Sequence, residues 1–185
     1  MILAEKFVRP VTDTILVMNS SDYSIAKKYN LYKKNLYSIN GMGINPCKFP
    51  FCTTQNQIYF REKCNISQND FILVYVAEFS KRKIQKFLID SIKKLKTQGY
   101  SNIKLYLLGD GMLLDEMKRH SESLAINDNI IFKGYTKEVC DYYNISDVCV
   151  SSSRIEGLPF NIMEAMSTGL PIIASTIKGH IDLVY

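Results

Sequence analysis

Phe71-Ile-Leu-Val-Tyr-Val76, the turn Ala77-Glu-Phe-Ser-Lys-Arg-Lys83, an amphipathic stretch to Thr97 and a second apolar run, Ile103-Lys-Leu-Tyr-Leu-Leu108, decide the fold. The two runs are nearly continuous in apolar residues instead of alternating with polar ones, as expected of strands covered on both faces. The same rhythm continues downstream. Strands are expected at Asn129 to Phe132, Asp147 to Ser151 and Pro171 to Ser175, and helices at Lys83 to Thr97, Met112 to Ala125, Lys137 to Asn144 and Pro159 to Ser167. Strands alternating with helices give an α/β fold built on a doubly wound parallel sheet of Rossmann-like type.

Upstream of Phe71 the pattern differs. A helical start from Ile2 to Val11, a strand from Thr14 to Met18, a helix from Asp22 to Tyr29 and a strand from Leu36 to Ile39 lead into Asn40-Gly-Met-Gly-Ile-Asn-Pro46, which is rich in turn formers. This reads as 1–40, the end of a preceding domain with too few elements to bury a core, then a linker at 41–66, then a domain at 67–185.

Hydrophobic content of 46% and charged content of 22%, with no low-complexity run, exclude disordered and fibrous classes. The net charge of +5 favours anionic partners without choosing among nucleotide, acidic lipid and nucleic acid. The basic-aromatic interleaving of a nucleic-acid module is missing, so no nucleic-acid partner is expected. Glu5, Lys6 and Arg9 interrupt the first residues, which argues against a secretory leader and for a reducing cytoplasm. Five cysteines without a C-x-x-C pair, and His120 and His180 without metal-type or triad neighbours, argue against disulfides, metal and nucleophilic catalysis. Both histidines read as surface residues.

The strongest constellation is Ser151-Ser-Ser-Arg-Ile-Glu156-Gly157-Leu158-Pro159-Phe160-Asn161-Ile-Met-Glu164-Ala165, which follows an apolar strand and opens a helix. Pro159 suits the first helical turn, where its missing N–H has no partner to lose. The free N–H groups from Gly157 to Asn161, with the helix dipole, can hold an anion or a sugar oxygen. Glu156 precedes the helix and Glu164 lies more than a turn inside it, so the two carboxylates address different parts of an extended ligand. A carboxylate is a natural acceptor for adjacent hydroxyls. By spacing alone, a capping acid at Glu156 and an ordinary solvated Glu164 are the favoured reading.

Two further stretches follow strands. The turn Lys81-Arg82-Lys83 lies between a strand and a helix, where doubly wound sheets bind phosphates, although a solvated basic face has the same composition. Leu108-Gly109-Asp110-Gly111 reads as a tight turn. A dinucleotide fingerprint would need glycine at Leu114.

Glu156-Gly-Leu-Pro-Phe-Asn-Ile-Met-Glu164-Ala-Met-Ser-Thr-Gly169-Leu-Pro171 resembles the signature of the family 4 glycosyltransferases, retaining enzymes of the two-domain GT-B fold. That resemblance implies that Glu156 contacts hydroxyls of the donor sugar and Glu164 holds the nucleotide ribose. It also implies that Lys83 neutralises the donor diphosphate, with Arg82 or Lys81 to compensate for an arginine that this chain lacks. The family often carries arginine where Glu78 stands here, and glutamate there resembles a branch from surface-polysaccharide biosynthesis. Phe132-Lys-Gly134-Tyr135 is similar to the stretch that borders the nucleobase, and Asn40-Gly-Met-Gly-Ile-Asn45 to the interdomain linker.

The resemblance implies a glycosyltransferase of hexosyltransferase type. Glu156 and Lys83 would be catalytic. Glu164, Gly157, Leu158, Pro159, Phe160, Asn161, Gly134, Tyr135 and Arg82 would bind the donor. No cofactor or metal is expected beyond the nucleotide-diphosphate sugar itself, and the acceptor would be a glycan or lipid-linked molecule. The location would be cytoplasmic, with peripheral contact at the inner membrane face. Most of the acceptor domain and the end of the donor domain would be missing, leaving the isolated chain inactive. A non-catalytic nucleotide-sugar-binding remnant of a split gene is the competing expectation.

Overall fold

In the computed structural model, which describes residues 2–184, the chain divides into two units. The smaller comprises Met1–Gly43, Ile155–Phe160 and Thr176–Tyr185; the larger comprises Ile44–Arg154 and Asn161–Ser175.

The smaller unit begins with α1 (Ile2–Val8), which tightens into a 3-10 turn at Arg9–Val11. Pro10 causes the change, because it disfavours the helical region for Arg9 and cannot donate a helical hydrogen bond. β1 (Thr14–Val17), α2 (Ser20–Tyr29) and β2 (Asn35–Ser38) form a crossover in which the strands pair in parallel from Thr14↔Asn35 to Val17↔Ser38. Asn19 caps α2 by accepting from Asp22 N at 2.7 Å, and left-handed Asn30 ends it. Lys178 Nζ meets Asp22 Oδ1 at 2.6 Å. Burial pushes the Asp22 carboxyl up, but the Lys178 ammonium and the Asn19 amide outweigh it and hold the group below its ordinary range. Apolar burial here is slight. Val17, Ala26 and Leu31 are buried, whereas Leu3, Phe7 and Val11 are exposed.

The larger unit opens with a 3-10 turn at Pro46–Lys48 and a helix, α3 (Thr54–Lys63), capped by Thr53. The stretch 41–66, which reads as linker in the sequence, therefore carries regular structure. Arg61 explains how a helix with so little apolar periodicity is held. Arg61 is 4% exposed, and Nη2 meets Asp147 Oδ2 at 2.7 Å while Nε donates to Ile145 O at 2.8 Å.

There follow β3 (Phe71–Val76), α4 (Gln85–Thr97), β4 (Ile103–Leu108), α5 (Leu114–Ser123), β5 (Ile130–Gly134), α6 (Val139–Ile145), β6 (Val148–Ser151), α7 (Phe160–Ser167) and β7 (Ile172–Ala174). The strands form one parallel sheet in the order β5-β4-β3-β6-β7. Neighbouring residues face opposite ways. Tyr75, Leu105, Leu107, Val148 and Val150 pack with Ile89 and Ile92 of α4 and Met117 of α5, whereas Val74, Leu108 and Cys149 pack with Tyr143 of α6 and Ala165 of α7. Each fully buried side chain of this size contributes about 1.5–3 kcal/mol, which is why both strand faces are apolar.

Several boundaries shift from the sequence expectation. Helix α4 starts at Gln85 instead of Lys83, because Ile84 takes a left-handed conformation at φ 49°, ψ 47°. Helix α7 starts at Phe160, so Pro159 stands just before the first turn instead of within it. The histidines also differ from the surface reading. His180 is 1% exposed, and Nε2 of half-buried His120 lies 2.6 Å from Asp90 Oδ1.

Candidate functional site

In the larger unit the strand order reverses between β3 and β6. At such a point the connections leave on opposite faces of the sheet, so the carboxyl ends of the strands border a crevice. Along that edge lies a cleft of about 810 Å³, bounded by Glu78 after β3, Asp110 after β4, Tyr135 and Lys137 after β5, Phe49, and Glu164 of α7. Its size suits a nucleotide-sized ligand.

Glu164 is half-buried at the cleft wall. Burial pushes its carboxyl above the ordinary glutamate range, and a hydrogen bond from Tyr143 partly opposes the shift. The Tyr143 hydroxyl lies 3.2 Å from Glu164 Oε2 and 3.1 Å from Asn161 O, so its one proton is shared between the carboxylate and the first turn of α7. Asn161 Nδ2 is buried with no hydrogen-bond partner among the described residues.

The turn after β5 depends on glycine. Gly134 has φ 68°, and its carbonyl accepts from Gly109 N at 2.8 Å. Tyr135, which follows, is 76% exposed and borders the cleft. The turn after β4 is tighter still. A Cβ on Gly109 would strike Ala77 O, and one on Gly111 would lie 2.5 Å from Phe79 O.

Lys83 and Arg82 lie on the turn between β3 and α4 and do not line the cleft. Lys83 N donates to Ser80 O at 3.0 Å. Arg82 Nη2 lies 3.6 Å from Glu78 Oε2 with both side chains exposed, an arrangement that screens the guanidinium only weakly.

The loop carrying Glu156 belongs to the smaller unit. Glu156 is half-buried. Asn19 Nδ2 donates to Gly157 O at 3.3 Å, and Gly179, at φ 87°, packs against the Glu156 and Gly157 carbonyls so closely that a Cβ would lie 2.8 Å from each. Leu158 packs against Gly41, Pro159 is buried, and Phe160 is 39% exposed.

Sequence reasoning missed Phe49, Lys48, Lys137 and Tyr143. Lys48 and Phe49 reach the cleft only because the stretch read as linker returns across the sheet, where Phe49 packs 6.1 Å from the Tyr143 ring. For Tyr143, its place within the apolar stretch of α6 was the available signal, and it points to packing alone.

Residues 56–185 match the family described as glycosyl transferases group 1. The putative glycosyltransferase EpsD of Bacillus subtilis (strain 168) is 31% identical over 180 residues, covering 97% of this chain and 47% of that protein. UDP-Gal:alpha-D-GlcNAc-diphosphoundecaprenol alpha-1,3-galactosyltransferase of Escherichia coli is 25% identical over 183 residues, with the same two coverages. Anabaena HepE in complex with UDP and glucose superposes with a TM-score of 0.81 at 17% identity, covering 99% of this chain and 50% of that one. The last likeness concerns the fold alone. The chain spans about half the length of the curated relatives it matches.

Proposed function

Because the chain belongs to the glycosyl transferases group 1 family, we propose that it binds a nucleoside-diphosphate sugar and that the whole enzyme transfers the sugar with retention. The observation that carries this reading is Glu164, half-buried at the wall of the carboxyl-edge cleft and continuous in sequence with the Glu156 motif.

Each residue has a role that fits its chemistry. Glu164 accepts from the ribose hydroxyls. The turn after β5, with Gly134 and exposed Tyr135, borders the base. Lys83 neutralises the diphosphate, with Arg82 as a second cation shared with Glu78. Glu156 receives hydroxyls of the transferred sugar, and backbone groups from Gly157 to Asn161, through Leu158, Pro159 and Phe160, shape the α7 terminus around the donor.

In the transfer step the bond between the anomeric carbon and the diphosphate oxygen breaks, and the acceptor oxygen bonds to that carbon on the same face. The acceptor proton passes to the departing diphosphate oxygen. Lys83 and the α7 dipole stabilise the negative charge that grows there.

The acceptor is a glycan or lipid-linked molecule, and the context is surface-polysaccharide assembly. The name of the Escherichia coli relative, which includes a diphosphoundecaprenol acceptor, supports this. A cytoplasmic position at the inner membrane face follows from that acceptor class. No helix among the described residues is long and apolar enough to cross a membrane.

Calorimetric titration with UDP, GDP and their hexose conjugates tests the reading. Lys83→Ala is expected to weaken diphosphate binding more than nucleoside binding, and added salt to shrink the difference. Absence of binding to every nucleotide tested would overturn it. Binding without transfer in the enzyme extended to full length would favour the non-catalytic remnant.

A further inference from the structure

The peptide that carries Lys83 is gripped by buried hydroxyls at the point where the sheet order reverses. Tyr75, on β3, is fully buried, and its hydroxyl donates to Lys83 O at 3.1 Å while lying 2.8 Å from Ser153 Oγ. Ser152, just past β6, places Oγ 2.8 Å from Lys83 O and 3.0 Å from Ile84 O. The main chain adds Arg154 N, which donates to Arg82 O at 2.8 Å. The Ser175 hydroxyl, just past β7, donates to Ser153 O and ties the cluster to the next strand.

Two features mark this as more than packing. Ile84 is β-branched yet left-handed, a conformation that persists only where surrounding contacts over-determine it. It sets the direction in which the chain leaves Lys83 for α4. The hydroxyls of Tyr75, Ser152 and Ser153 are also costly to bury. Tyr75 and Ser152 offset that cost through the Lys83 and Ile84 carbonyls, and Ser153 through the Tyr75 hydroxyl. A phenylalanine at 75 and alanines at 152 and 153 would fill the same core without selecting any conformation of the turn.

We propose that Tyr75, Ser152 and Ser153 are positioning residues that preset the Lys83 turn for the donor diphosphate. The proposal rests on the diphosphate role given to Lys83 above. A preset cation spares the ordering entropy that a mobile lysine would lose on binding, which is how second-layer contacts raise affinity without touching the ligand.

The test is a double-mutant cycle on this chain, read by calorimetry with UDP and with uridine. Tyr75→Phe and Ser152→Ala are each expected to weaken UDP binding roughly three- to tenfold, the net worth of one hydrogen bond, and to leave uridine binding unchanged. In a Lys83→Ala background the same changes should have no further effect on UDP. Equal losses of UDP affinity in both backgrounds, or equal losses for UDP and uridine, would overturn positioning and leave a general folding role. If Lys83→Ala itself leaves UDP affinity intact, the diphosphate role fails, and the positioning proposal falls with it. Should Tyr75→Phe unfold the chain, the Ser152→Ala arm decides alone.

Discussion

Tyr143 Oη stands 3.2 Å from Glu164 Oε2, so the carboxylate at the cleft wall is held by a donor rooted in the apolar core beneath it. The hydroxyl fixes the direction of the carboxylate, and burial raises the carboxyl above its ordinary range. An acceptor of ribose hydroxyls must be ionised. Wild-type affinity for UDP is therefore expected to begin falling on acidification at a pH above about 4.3, the ordinary glutamate value. Glu164→Gln should weaken binding by about 1.5–3 kcal/mol at neutral pH and should lack this part of the pH dependence. Parallel profiles for the two proteins would remove Glu164 from the site.

The same shift has a consequence for stability. A carboxyl whose folded value is raised favours the fold when protonated, so its contribution is complete below the unfolded value and is lost as pH rises through the folded one. At neutral pH Glu164 is thus a cost to the empty protein. Glu164→Gln should raise the melting temperature at pH about 7, and the gain should vanish near pH about 4. A variant that melts lower than wild type at neutral pH would mean that the Tyr143 bond outweighs burial.

How much of this could be read from sequence depends on where each signal resides. The runs from Phe71 and Ile103 are legible as central strands because Val74 and Tyr75, or Leu107 and Leu108, face opposite cores and must both be apolar. Helix α3 is illegible because one buried arginine anchors it, and a lysine or arginine in sequence looks the same whether solvated or buried. The Glu156 to Glu164 motif is legible as a string. That Tyr143 supports Glu164, or that Phe49 reaches the cleft, depends on chain segments meeting only after folding. The late start of α4 is a case of the same kind. Nothing in Lys83-Ile84-Gln85 announces a left-handed isoleucine, and the hydroxyls that hold it come from β3 and the segment after β6.

Gly109 and Gly134 separate conformational strain from steric room. Both have positive φ, but a Cβ on Gly109 would meet the Ala77 carbonyl, whereas one on Gly134 would meet nothing within 4 Å. Gly134→Ala should cost about 1–2 kcal/mol, the price of a left-handed alanine. Gly109→Ala should cost clearly more, because the turn after β4 must also move away from the turn after β3. Urea midpoints compare the two. Equal shifts would mean that the strand ends give way freely.

The last prediction concerns Arg61 and the integration of α3. Arg61 bridges three places, Asp147 at the entrance to β6, the carbonyl of Ile145 at the end of α6, and the carbonyl of Asp70 before β3. Asp147 Oδ2 in turn accepts from Ile72 N at 2.7 Å. Removing the guanidinium leaves a carboxylate partly enclosed, with one backbone donor and no cation. Breaking a buried pair in this way costs about 3–5 kcal/mol, far more than an exposed pair, which is worth about 0–1 kcal/mol. Arg61→Met should therefore lower the urea midpoint strongly, and exchange of the α3 amides should speed up first. Adding Asp147→Asn to Arg61→Met should recover part of the loss by removing the stranded charge. A single-variant cost within the exposed-pair range would show α3 to be loosely attached, as a linker would be, and would remove Arg61 as the reason for the stretch 54–63 to fold as a helix.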